Sequence, residues 1–181
     1  MKLLRTISLD PSDTFVFDEP AEPGDWAVSG AFRFCDSDAA KLAGKDRWAF
    51  RGGFLGVQSW GWSTLVQIVE ATDADRKALV ERLAQQLVDR LGAPDLATAR
   101  VAAEEEVAFA EQLCAYPVDT LIAVHRTAST DGEIRETFRR LQRREGIGHG
   151  KAFSFVEVKD EAPGNDADLN LVDMSRGSAH R

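Results

Sequence analysis

The sequence predicts an α+β fold, a single domain with a largely antiparallel sheet packed against about three helices. Three observations point there. Apolar residues come in short bursts or alternate over about the first seventy positions, then recur at helical spacing from about residue 72 to 115, then return to mixed patterns. A chain of 181 residues also suits one hydrophobic core.

The N-terminal alternation Leu3, Arg5, Ile7, Leu9 reads as a first strand, closed by Asp10-Pro11. Phe15-Val16-Phe17 is a short apolar run within this strand-and-turn region, ended by Asp18-Glu19-Pro20. Pro23-Gly24 marks a turn before a strand over residues 26–34. Period two places Val28, Phe32 and Phe34 on one face of it, with Gly30 as a bulge or a close approach. One helical turn fits residues 37–42, and further strands fit residues 47–50 and 63–71. The last of these holds Thr64-Leu65-Val66-Gln67-Ile68-Val69, whose β-branched residues suit a half-buried pleat.

Val80, Leu83, Ala84, Leu87, Val88 and Leu91 form one helical stripe. Thr72 or Asp73 caps its start, and Gly92 suits the left-handed position past its end. A second helix begins after Pro94-Asp95, runs to about Ala115 and stops before Pro117. Its stripe (Leu96, Ala99, Ala103, Val107, Ala110, Leu113, Cys114) is rich in alanine and so permits a close neighbour. Residues 120–127 read as a buried strand, and residues 131–144 as a third helix with Ile134, Phe138 and Leu141 inward. Residues 151–158 read as the final strand of a domain spanning 1–158, and residues 159–181 as an acidic mobile tail or surface strap.

Hydrophobic residues make up 44% and charged ones 29%, ordinary for a water-soluble domain. The formal charge of -8 argues against nucleic-acid partners and anionic lipid surfaces. No apolar run approaches the roughly 18 residues of a membrane span, so no membrane role is expected. Arg5 interrupts the N-terminal apolar stretch that a secretory signal needs, which leaves the cytoplasm as the expected location. Cys35 and Cys114 are then reduced, and Cys114, in its helical setting, reads as a small core residue.

The densest aromatic segment is residues 48–63, which holds three of the four tryptophans. Trp48, Arg51, Gly52, Gly53, Phe54, Trp60 and Trp62 are its candidate ligand or partner residues. Tryptophan brings up to about 250 Å² of apolar area with one N–H donor, and glycine lets another backbone approach. Three readings stay open: core beneath a glycine-rich hairpin, a protein or dimer interface, or a small-molecule pocket.

Weaker signals follow. His125 shares a strand face with Leu121, Ala123 and Thr127, and could serve as acid or base beside Asp131 and Glu133, with Arg126 holding an anionic ligand. The common alternative is a hydrogen-bonded sheet histidine. Gly146-Ile147-Gly148-His149-Gly150-Lys151 follows a predicted helix and precedes a strand, the reverse of a phosphate loop, and so reads as a flexible turn. Glu104-Glu105-Glu106 diverge by about 100° per residue on a helix and read as a solvated face, with Glu104 and Glu111 on the same side. Arg135, Arg139, Arg140, Arg143 and Arg144 form a basic concentration in which Glu136 pairs with Arg139 or Arg140, and which could dock an acidic partner or the tail. No histidine pair has metal-ligand spacing, so no metal and no cofactor are expected.

Phe15-Val16-Phe17, Gly24-Asp25-Trp26-Ala27-Val28, Phe50-Arg51-Gly52-Gly53-Phe54-Leu55-Gly56, Gly61 to Gln67, Leu121 to Thr127 and Glu133-Ile134-Arg135-Glu136 resemble a family of small uncharacterised alphaproteobacterial proteins. The likeness covers most of residues 1–158 and implies company with redox-enzyme assembly, with no catalytic residue to carry over. The functional expectation is a non-enzymatic accessory protein, a homodimer or bound to a protein partner, using the Trp/Gly segment as its contact surface. The alternative is an enzyme or small-molecule binder with a pocket between sheet and helices around His125.

Overall fold

The computed structural model describes residues 1–8, 12–143 and 155–158. These form a single α+β domain built on an antiparallel sheet. The strands are β1 (Lys2–Ile7), β2 (Trp26–Val28), β3 (Phe54–Gly56), β4 (Trp62–Ser63), β5 (Leu65–Glu70), β6 (Leu121–Ala128), β7 (Ile134–Arg143) and β8 (Phe155–Val158). Their order across the sheet is β4-β3-β2-β1-β5-β6-β7-β8. The helices are α1 (Ser12–Val16), α2 (Gly44–Gly52), α3 (Asp73–Leu91) and α4 (Leu96–Leu113).

The two long helices arise as the sequence dictates. Thr72 and Asp75 cap α3 reciprocally, the Thr72 Oγ1 accepting from the Asp75 N–H at 3.1 Å and the Asp75 carboxylate accepting from the Thr72 N–H at 2.9 Å. Gly92 closes the helix at φ 69°, a left-handed conformation that costs glycine little. The Asp95 carboxylate caps α4, accepting from the Thr98 N–H at 2.8 Å. Ala99, Ala103 and Ala110 are buried along α4, so small side chains let it lie close to α3 and to β1 and β2.

The shorter elements depart from the expected strands, each for a local reason. Gly30, at φ 78°, turns the chain out of β2, so Phe32 and Phe34 ride on a 3-10 turn (Ala31–Phe34) instead of a longer strand. The close approach expected at Gly30 is present: a Cβ there would stand 2.6 Å from the Leu55 Cβ and 3.0 Å from the Trp62 ring. Residues 47–50 belong to α2, which buries Ala49 and Phe50 and breaks at Gly52-Gly53, so this segment is helix and not strand. Phe15 and Val16 lie in the one-turn helix α1, and Phe17 drops into the core behind it. The one-turn helix expected at 37–42 is a 3-10 turn over Ala39–Lys41.

The largest correction is residues 131–144, where the expected third helix is the strand β7. A tight turn at Ser129–Gly132, with Gly132 at φ 84°, folds β7 back on β6 from Ala128↔Ile134 to Leu121↔Leu141. Burial alternates strictly: Ile134, Glu136, Phe138 and Arg140 are half-buried, and Arg135, Thr137 and Arg139 are exposed. Ile134 and Phe138 lie four apart, a spacing that satisfies period two as well as the helical period, and this misled the helical reading. As a consequence Glu136 faces Arg126 across the strands instead of pairing with Arg139 or Arg140 along a helix.

The sheet curls around α4. Phe138 of β7 contacts both Phe109 of α4 and Phe54 of β3, with ring centroids 5.8 and 6.1 Å apart. In a flat sheet β2 and β6 would stand about 14 Å apart, three strand spacings. Arg126 of β6 nevertheless bonds Ser29, the residue after β2. The final strand is represented by β8, paired to β7. The glycine turn at 146–151, Arg144 and the tail at 159–181 lie outside the described residues. No helix among the described residues is long and apolar enough to cross a membrane.

Candidate functional site

The Trp/Gly segment divides between core and surface. Trp60 and Trp62 are 3% and 6% exposed, and Gly53 and Phe54 are buried beside them. Trp62 stacks on Phe34 at 5.2 Å, while the Arg33 guanidinium lies 5.3 Å from the Trp60 ring and 5.0 Å from the Trp62 ring. Glycine is required at position 61 by the chain itself, because a Cβ there would overlap the Pro20 carbonyl and the Ala21 nitrogen. The backbone that approaches the glycines is therefore intramolecular. Of the candidate surface residues, Trp48 (60% exposed) and Arg51 stand in solvent on α2, and Gly52 is half-buried at its end. A contact face made from Trp60 and Trp62 is excluded by their burial.

Strand alternation separates His125 from Arg126. His125 is exposed on the open face of the sheet, opposite Thr137. Glu133 is exposed at the hairpin and bonded to Arg135 at 3.2 Å. Arg126 is 0% exposed on the helix-facing side. The three weak catalytic candidates are thus not brought together.

Arg126 instead anchors a buried polar cluster. Its Nε donates to the Glu136 carboxylate at 2.7 Å. Nη1 donates to the Phe50 and Gly53 carbonyls at 3.1 and 2.7 Å, satisfying acceptors at the C-terminal end of α2. Nη2 donates to the Ser29 carbonyl and to the Ser29 hydroxyl, the latter at 3.1 Å. These bonds use the five donors of a guanidinium, so Arg126 has none left for a substrate. Burial lowers its pKa, and the Glu136 carboxylate opposes that shift.

Glu106 of α4 joins this cluster to the outside. Its carboxylate accepts from the Gly30 N–H at 3.0 Å, and burial, with Glu136 nearby adding to it, raises its pKa above the ordinary carboxyl range. On its other side Glu106 lines a cleft of about 360 Å³ between α3 and α4, walled by Phe32, Leu83, Leu87, Leu91 and Ala102, with Glu105 at the rim. Leu91 and Ala102 are exposed at its mouth, so the cleft opens to solvent. Leu96 (38% exposed) and Val101 (61%) leave further apolar surface at the same end of the helical pair.

Sequence reasoning placed Glu106 with its neighbours on a solvated face. Glu104 fits that reading better, since it and Glu111 bind Arg76 at 2.8 and 3.0 Å on one side of α4. Glu106 differs because it falls seven residues after Ala99 and four before Ala110, on the buried stripe. That spacing is the signal that marks it. Cys114 is the small core residue expected, 3% exposed, with burial pushing its thiol pKa up to about 12. Among the described residues no three His, Cys, Asp or Glu side chains gather as a metal ion would need.

No curated protein and no solved structure matches this chain. A family model does match, over residues 1–154, and its description is that of a family of unknown function, DUF6505. The segments that resemble uncharacterised proteins all fall inside that span, and the chain belongs to this family.

Proposed function

We propose that the chain is a non-enzymatic interaction protein that holds a basic, amphipathic segment of a partner protein in the cleft between α3 and α4. The carrying observation is the cleft itself: five apolar side chains flanked by two carboxylates, open at a helical end where Leu91, Leu96 and Val101 remain exposed. Apolar walls supply non-directional attraction, and Glu105 and Glu106 select lysine or arginine on the incoming segment. A volume of about 360 Å³ is at the small end of ligand pockets. With its mouth open, it suits a few side chains of a peptide better than an enclosed molecule. A second copy of this acidic chain is a poorer match, because net charge -8 opposes self-association against an acidic rim. Contact therefore moves from the Trp/Gly segment to the helical pair, while the accessory role is retained. Conversely, the enzyme reading loses its constellation, because His125 and Arg126 face opposite sides of the sheet.

A fluorescent amphipathic peptide of leucine and lysine, compared with its leucine and glutamate counterpart, tests this by anisotropy. The lysine peptide is expected to bind, and Leu91→Glu, at a half-exposed position, to weaken it at least tenfold. Equal affinity for both peptides, or no effect of Leu91→Glu in a variant with unchanged circular dichroism, would overturn the reading.

A further inference from the structure

We infer that a second cleft, separate from the one between α3 and α4, binds a free α-amino acid in its zwitterionic form. This cleft measures about 300 Å³. It takes Asp18 and Glu19 from the segment before β2, Arg33 from the 3-10 turn, Lys45 and Asp46 from the first turn of α2, and Trp62 from β4. Unspent donors converge at its inner end. Trp62 is 6% exposed, and among the described residues its indole N–H has no acceptor. A buried indole N–H ordinarily finds one. Among the described residues no fully buried side-chain nitrogen lacks a partner, so this N–H touches open space. The Cε3, Cζ3 and Cη2 atoms of the ring crowd Gly30 and Gly53, which turns Nε1, on the opposite edge of the indole, toward the cleft.

Arg33 adds further donors beside the indole. Its Nη1 donates to the Trp60 carbonyl at 3.2 Å, and among the described residues it has no ion pair. Burial lowers its pKa; Glu19 opposes that shift, Arg90 adds to it and Asp46 opposes it. Lys45 and Asp18 answer each other at 3.2 Å. That leaves the Arg33 cation against two exposed carboxylates, Glu19 and Asp46, which have no ion pair among the described residues. The Trp62 N–H donates to the Glu19 carbonyl at 2.7 Å through the backbone, so the acidic rim is fixed beside the indole. A bare carboxylate would meet the charges of Glu19 and Asp46, and a bare amine would meet Arg33. A zwitterion satisfies both: its carboxylate accepts from the guanidinium and the indole N–H, and its ammonium donates to Glu19 and Asp46. A cleft of this volume stands at the small end of ligand pockets, as one amino acid requires.

The experiment titrates the full chain with each of the standard α-amino acids by isothermal titration calorimetry. At least one is expected to bind with a millimolar or tighter Kd. Its methyl ester, which lacks the carboxylate charge, and its N-acetyl derivative, which lacks the ammonium, are each expected to bind at least tenfold more weakly. Glu19→Gln with Asp46→Asn, at exposed positions that leave the circular dichroism unchanged, is expected to weaken binding at least tenfold. Trp62→Phe keeps an aromatic ring in place and removes the N–H, and is expected to weaken it several-fold. Binding of no amino acid, a derivative that binds as tightly as its parent, or an unchanged Kd in both variants would each overturn the assignment. The last outcome would place the amino acid elsewhere on the chain.

Discussion

Arg126 Nε and Glu136 Oε1 stand 2.7 Å apart across the β6–β7 pair, in a place where Arg126 has no exposure at all. The guanidinium and its carboxylate tie together three regions that are distant in sequence: the end of β2 at Ser29, the end of α2 at Phe50 and Gly53, and the β6–β7 hairpin. The pair closes the curl of the sheet.

Removing one member should therefore cost far more than removing both. Arg126→Met leaves the Glu136 carboxylate buried without its cation and removes the guanidinium donors from the Phe50, Gly53 and Ser29 carbonyls, and is expected to cost about 3–5 kcal/mol. Replacing both residues with apolar ones of similar volume should recover a large part of that loss. Urea denaturation of the two single variants and the double variant measures the coupling. Additive losses would show that Arg126 and Glu136 do not act as a pair.

Glu106 sets a pH dependence whose sign follows from its environment. Its folded pKa is raised, so its contribution to stability is present below the ordinary glutamate range and is lost as pH rises through the folded value. Glu106→Gln keeps an oxygen for the Gly30 N–H and has no charge to bury. The variant should gain on the native chain as pH rises above the ordinary glutamate range. Urea midpoints at several pH values decide it, and a difference independent of pH would contradict the assignment.

Gly61 should be intolerant of a single methyl group. A Cβ there would overlap the backbone at Pro20 and Ala21, which cannot move as a flexible side chain would. The Pro20–Ala21 segment is held by backbone bonds to Trp62, 2.8 Å from the Ala21 N–H to the Trp62 carbonyl. Gly61→Ala should cost about 1–3 kcal/mol, the range for forcing atoms into packed space. Gly24→Ala is the control for backbone conformation alone, since Gly24 has a positive φ but open space around it. A thermal midpoint for Gly61→Ala no lower than that of Gly24→Ala would refute the close-packing account.

Local rules made much of the fold legible. The caps at Thr72 and Asp95, the stop at Gly92 and the apolar stripes of α3 and α4 rest on contacts within a few residues, so the chain sequence carries them directly. The strands β1, β5 and β6 were likewise readable from alternation and β-branched content. Segments with two compatible periods were not. Ile134 and Phe138 suit a helix or a strand, and only pairing with β6 selected the strand. Phe32, Phe34 and Phe50 were equally ambiguous until Gly30 turned the chain and α2 buried its inner side.

The candidate site belongs to the tertiary structure. Arg126 lies 10 residues from Glu136, 97 from Ser29 and 76 from Phe50, and only the curl of the sheet brings these groups within hydrogen-bonding distance. By itself the sequence determined the α+β class, the capped helical pair and the acidic charge, because these depend on composition and near neighbours. Tertiary structure alone decided that Trp60 and Trp62 are core, that His125 and Arg126 part company, and that Glu106 stands between a buried arginine and an apolar cleft. Those outcomes depend on which faces meet, and burial charges each polar group according to the partners it finds there.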